Sequence, residues 1–102
     1  MKIRKTISII DYKMGNIKSL ENALDFLGGS YYITNEPSKI INAKKIILPG
    51  VGSFNQAMHN LHNLHIYEVL EEAVIKRKTP ILGICLGMQI LATSGEENGP
   101  TL

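Results

Sequence analysis

Thr79-Pro80-Ile81-Leu82-Gly83-Ile84-Cys85-Leu86-Gly87-Met88-Gln89-Ile90-Leu91 is the stretch that decides the fold. It opens as an apolar run, breaks at a cysteine set between glycines, and resumes with Leu86, Ile90 and Leu91 at helical spacing. That order predicts a buried strand over 79–84, a sharp turn with Cys85 at its tip, and a helix. A strand passing so abruptly into a helix belongs to alternating strand-helix architecture, so the segments before it should repeat the alternation.

They do. Lys44-Lys45-Ile46-Ile47-Leu48 predicts a strand cut off by Pro49-Gly50. Between it and residue 79, Ser53 can cap a helix carrying Phe54, Met58 and Leu61 on one face. A second helix aligns Ile66, Val69, Leu70, Ala73 and Val74, with Lys76-Arg77-Lys78 at its C-terminus, where cations suit the helix dipole. Nearer the start, Thr6-Ile7-Ser8-Ile9-Ile10-Asp11 predicts a strand closed by a carboxylate. Ile17, Leu20, Leu24 and Leu27 then predict a helix stopped by Gly28-Gly29. Ser30-Tyr31-Tyr32-Ile33-Thr34 predicts another strand, followed by a polar loop through Asn35-Glu36-Pro37-Ser38. The expected fold class is α/β, a parallel sheet covered by helices on both faces.

Composition limits what such a sheet can serve. The 102 residues make one small domain, which buries ~60–70% of its unfolded surface. With 44% hydrophobic residues the chain is too apolar for disorder. A net charge of +2, without basic and aromatic residues interleaved, gives no footprint for nucleic acid. The lone Cys85 excludes an internal disulfide and a cysteine-based zinc site, and makes a reduced, cytoplasmic setting the default. The run Ile7-Ser8-Ile9-Ile10 is too short for a signal-peptide core, and the longest apolar stretch, 80–92, is too short to span a bilayer.

Ligands of parallel sheets bind at the carboxyl ends of the strands, where residues 11–16, 49–53 and 83–89 should meet. Gly83-Ile84-Cys85-Leu86-Gly87 has the form of a nucleophile elbow, whose glycines permit the turn that lifts the nucleophile above the sheet. An ordinary thiol is mostly protonated at neutral pH, and a helix N-terminus favours the reactive thiolate. The competing reading is a buried cysteine at a tight turn, and the pentapeptide alone leaves the two level. Pro49-Gly50-Val51-Gly52 offers backbone N–H groups of the kind an oxyanion hole needs; alone, it reads more readily as a capped turn. Residues 11–16 read singly as another capped turn. Gln89, one helical turn past Cys85, can hold a polar substrate or simply face water. His59, His62 and His65 sit three apart without a carboxylate among them, so solvated histidines are favoured over a metal site.

Together, residues 11–16, Leu48-Pro49-Gly50-Val51-Gly52-Ser53-Phe54 and Gly83-Ile84-Cys85-Leu86-Gly87-Met88-Gln89 resemble the class I (triad) glutamine amidotransferases over nearly the whole chain. The nearest likeness is to glutaminase subunits of imidazole glycerol phosphate synthase. That resemblance implies a flavodoxin-like amidotransferase fold and no cofactor. It implies that Cys85 attacks the side-chain amide of glutamine to form a thioester and release ammonia. Gly50, Val51 and Gly52 would form or adjoin the oxyanion hole with the N–H of Leu86. Gln89 would bind substrate, Glu97 would receive its amino group, and Asn16 would face a synthase partner. That partner is a (β/α)8-barrel cyclase subunit of histidine biosynthesis. Similar subunits serve bacterial surface-sugar biosynthesis.

One feature of the family pattern is missing. Relatives carry a catalytic His and Glu as H-x-E downstream of the cysteine, whereas here no H-x-E occurs and every histidine precedes Cys85. Expelling ammonia needs a proton donor. Residues 1–102 are therefore expected to be the N-terminal part of a single amidotransferase domain and a poor glutaminase alone. Peptidase and deglycase relatives of the fold usually place His directly after the cysteine, where this chain has Leu86. A non-catalytic module cradling an anion at 49–53 is the other alternative, without a P-loop lysine.

Overall fold

The computed structural model describes residues 7–97, with side chains through residue 93. Four parallel strands, β1 (Ile7–Ile10), β2 (Tyr31–Thr34), β3 (Lys45–Leu48) and β4 (Ile81–Gly83), form one sheet in the order β2-β1-β3-β4. The helices are α1 (Ile17–Leu27), α2 (Pro37–Ile41), α3 (Phe54–Asn63), α4 (Tyr67–Glu71) and α5 (Leu86–Glu97). All four expected strands are present. One helix start and one helix stop also follow the expected chemistry. Ser53 caps α3 by accepting the Gln56 N–H at 3.2 Å, and Gly28 ends α1 in the left-handed conformation.

Three local expectations change. The polar loop after β2 contains α2, because Pro37 occupies the first turn, where its missing N–H costs nothing, and Ile40 is pulled into the core. The helix after α3 is not continuous. It passes from α4 into a wide π turn at Glu72–Lys76, which keeps Ala73 buried while the basic cluster 76–78 reaches solvent. β4 is shorter than the predicted run. Pro80 supplies only its carbonyl, to the Ile46 N–H at 2.9 Å, and Ile84 already leaves the ladder to donate to the Leu48 carbonyl at 3.0 Å.

The two faces of the sheet are covered unequally. On one, Ile10, Ile46 and Leu48 pack with Leu61 of α3, Ile66 and Leu70 in a single buried cluster. Each such side chain contributes about 1.5–3 kcal/mol by leaving water. On the other, register aligns Ile33, Ile9, Ile47 and Leu82 across the sheet. The central pair is buried, but Ile33 on β2 remains 38% exposed and Leu82 on β4 58%. Helix α1 buries none of its side chains, and Phe26 in its last turn is 89% exposed. The expectation of full cover on both faces is thus met at the central strands and not at the outer ones. An outer strand has a covering neighbour on one side only.

Ser8 is completely buried in β1, and its hydroxyl has no hydrogen-bond partner among the described residues. Burying an unmade hydrogen bond opposes folding. Ser8→Ala should therefore leave stability unchanged or raise it by up to about 1 kcal/mol in urea unfolding. A loss of more than about 1 kcal/mol would show that the hydroxyl is satisfied.

Candidate active site

The strand order brings three loops together. β1, β3 and β4 are neighbours, so the segments following them, 11–16, 49–53 and 84–86, emerge side by side at the carboxyl end of the sheet. Successive strands are added to one side of β1 and then to the other, so the order switches between β1 and β3, the position where parallel sheets open a crevice.

Cys85 forms the tip of the elbow. It is exposed, directly precedes α5, and holds φ at 54°, a left-handed conformation that a non-glycine residue adopts only when its surroundings impose it. Those surroundings are backbone. A Cβ on Gly83 would lie 2.7 Å from the Gly87 carbonyl carbon and the Met88 nitrogen, and one on Gly87 would overlap the Leu48 carbonyl oxygen. Both glycines of the elbow are thus demanded by close approach. The turn is closed by Gly87 N–H donating to Ile84 O at 2.9 Å and Met88 N–H donating to Cys85 O at 3.0 Å. The structure rejects the buried-cysteine reading of the pentapeptide.

Pro49-Gly50-Val51-Gly52 lies between the elbow and the first loop, bonded to both. Leu86 N–H donates to Gly50 O at 3.1 Å, and Val51 N–H donates to Met14 O at 2.9 Å. In this conformation neither N–H is free to meet an oxyanion. Beneath them lies Tyr12, which is 1% exposed and donates its hydroxyl to Pro49 O at 2.5 Å. Asn60 of α3 donates its amide to Tyr12 O at 3.0 Å. Burial pushes the Tyr12 phenol up to about 12, so it remains a donor throughout the neutral range. Within residues 11–16, which the sequence presents as a capped turn and as part of the family pattern, Tyr12 carries no separate role. Its available signal was a large ring with a polar tip inside an otherwise polar turn.

The remaining expected residues separate. Asn16 is exposed and caps α1 by accepting the Ser19 N–H at 3.2 Å. Gln89 is exposed one turn into α5 beyond Cys85. Glu97 ends α5, and its side chain lies outside those described. The histidines diverge: His59 Nε2 is 2.9 Å from the Asn63 amide, the His62 ring lies 4.7 Å from that of Tyr67, and His65 turns left-handed beyond α3.

Two expectations follow from this geometry. Gly87→Ala should cost more than about 2 kcal/mol of stability in denaturant unfolding, because the methyl group meets a carbonyl that two elements hold fixed. An unchanged midpoint would refute that contact. Tyr12 ionises later in the folded chain than its ordinary value near 10, so its contribution is full below pH 10 and is lost as pH rises toward about 12. A Tyr12→Phe chain should accordingly show a shallower loss of stability across that alkaline window, measured by thermal unfolding. An identical slope would contradict the shift.

Comparison with known proteins bears on family and fold. Imidazole glycerol phosphate synthase subunit HisH 2 of Methanococcus maripaludis is 50% identical over 91 residues, covering 89% of this chain and 45% of that protein. Subunit HisH of a Geobacillus strain is 52% identical over 95 residues, covering 93% and 44% respectively. The chain therefore spans under half the length of these relatives. Among solved structures, a glutamine amidotransferase superposes with a TM-score of 0.67 at 17% identity, covering 80% of this chain and 42% of that one, a likeness of fold. Residues 8–98 match the family described as glutamine amidotransferase class-I. That match covers most of the chain, which therefore belongs to the class-I glutamine amidotransferases.

Proposed function

We propose that residues 1–102 are the N-terminal, nucleophile-bearing part of one glutaminase domain, serving the formation of imidazole glycerol phosphate in histidine biosynthesis. The observation that carries this reading is Cys85, exposed in a left-handed turn at the start of α5 and joined through Leu86 to the Gly50 carbonyl. The Cys85 thiolate attacks the side-chain carbonyl carbon of glutamine, forming a C–S bond and a tetrahedral oxyanion. Collapse of that intermediate breaks the C–N bond, and the nitrogen leaves as ammonia after taking a proton. Water then cleaves the thioester to glutamate and restores the thiol. No step calls for a metal or an organic cofactor.

Stabilising the oxyanion requires a rearrangement. Leu86 N–H and Val51 N–H are engaged by Gly50 O and Met14 O. The Gly50 carbonyl and the Val51 N–H belong to one peptide unit and point opposite ways. Turning that unit over breaks both hydrogen bonds, frees Leu86 N–H, and puts Val51 N–H where the carbonyl stood. The rotation is taken up by ψ of Gly50 and φ of Val51, and Gly50, without a side chain, suits its share of it. Gln89 and Glu97 would hold the rest of the substrate, and Asn16 would stand toward the partner. General acid-base work falls to a His and Glu that residues 1–102 do not supply as H-x-E, so this stretch alone should hydrolyse glutamine poorly. The ammonia passes to a (β/α)8-barrel cyclase subunit in the cytoplasm. The names of the relatives favour this pathway over surface-sugar biosynthesis.

In the full-length protein, Cys85→Ala should lower ammonia release from glutamine at least about a thousandfold. It should also abolish covalent labelling by an electrophilic glutamine analogue. Ammonia release that survives the substitution would sink the mechanism.

A further inference from the structure

Tyr12 supplies a buried hydroxyl that the chemistry above does not use. Its partner is the carbonyl of Pro49, the one backbone polar group that a proline, lacking N–H, can offer. The contact is tight on the far side as well, since a Cβ placed on Gly50 would overlap the Tyr12 hydroxyl oxygen. Tyr12 is itself held from behind, by the Asn60 amide on its carbonyl at 3.0 Å. Each hydrogen bond that ties Gly50 and Val51 to the neighbouring loops is broken when their shared peptide turns over. The Tyr12 to Pro49 bond lies one peptide upstream and survives that rotation.

We propose that Tyr12 is a positioning residue for glutamine hydrolysis, its hydroxyl fixing the Pro49 carbonyl as the pivot from which the Gly50–Val51 peptide turns to build the oxyanion hole. This role rests on the glutaminase reading. Without the hydroxyl, Pro49 drifts, the rotated N–H misses the oxyanion, and the transition state loses stabilisation while bound glutamine does not. A misplacement of about 1 Å near reacting atoms lowers rates by up to about a hundredfold. The Cys85 thiol, held by the elbow's own glycines, retains its reactivity toward reagents that need no oxyanion hole.

The test compares wild type with Tyr12→Phe in the full-length protein, reading kcat and KM for glutamine and the rate at which iodoacetamide alkylates Cys85. The expected result is a kcat lowered about tenfold to a hundredfold, a KM within about threefold, and alkylation within about twofold of wild type. Tyr12→para-aminophenylalanine, which restores a donor at the same place, should recover most of the kcat. A wild-type kcat in Tyr12→Phe, or a kcat that falls in step with alkylation, would overturn the positioning role and leave the glutaminase reading standing. A wild-type protein that neither hydrolyses glutamine nor is labelled at Cys85 by the electrophilic analogue would overturn both. If Tyr12→Phe does not fold, Asn60→Ala decides, since it loosens Tyr12 from behind and keeps the hydroxyl. Lowered kcat with unchanged alkylation then supports the role, and an unchanged kcat overturns it.

Discussion

The Leu48 carbonyl at the end of β3 meets the elbow twice, accepting the Ile84 N–H at 3.0 Å and lying where a side chain at position 87 would begin. Backbone packed on backbone at this distance leaves no side chain to adjust, so it determines how close the turn around Cys85 comes to the Pro49–Gly52 segment. Everything later in the site inherits that spacing. Leu86 reaches the Gly50 carbonyl because Gly87 reaches Leu48, and the left-handed backbone of Cys85 persists because both glycines of the elbow are already committed. Strain of this kind costs about 1–3 kcal/mol per residue and is sustained only by surroundings that over-determine it.

The sheet makes that contact possible. Placing β3 between β1 and β4 puts the Pro49 segment between the other two loops, where it is bonded on both sides. The buried cluster beneath, running from Ile10 and Leu48 to Leu61 and Ile90, ties the same strands to α3 and α5. Helix α3 also sends Asn60 up to the Tyr12 backbone, so one element both closes the core and braces the first loop.

Much of this was legible in the residues. Strand runs such as Lys45–Leu48, the Ser53 cap and the Gly28 stop obey local rules, and local rules survive in the fold. Cys85 was legible too, because glycines two residues to either side permit few other structures. What escaped was set by tertiary contact. Residues 37–41 become helical since the core takes Ile40, and the π turn at Glu72–Lys76 lets Ala73 stay buried. Tyr12 escaped for the same reason: its partner lies 37 residues away, and nothing adjacent to it announces Pro49. The free-donor reading of Leu86 was likewise unavailable to correction from sequence, since the Gly50 carbonyl that engages it lies on another strand's loop.

The closeness of the elbow to β3 also governs which changes of chain length the protein can accept. An extra residue between Gly83 and Gly87 would rotate the start of α5 by about 100° and carry the next side chain onto the Leu48 carbonyl. Deleting one would break the turn altogether. The end of α1 is under no such constraint, for Phe26 and Leu27 are 89% and 75% exposed and Gly28 meets nothing within 4 Å of a would-be side chain. Insertions and deletions should therefore accumulate among descendants of this gene around residues 26–29 and be purged from 83–87, an asymmetry imposed by one carbonyl oxygen.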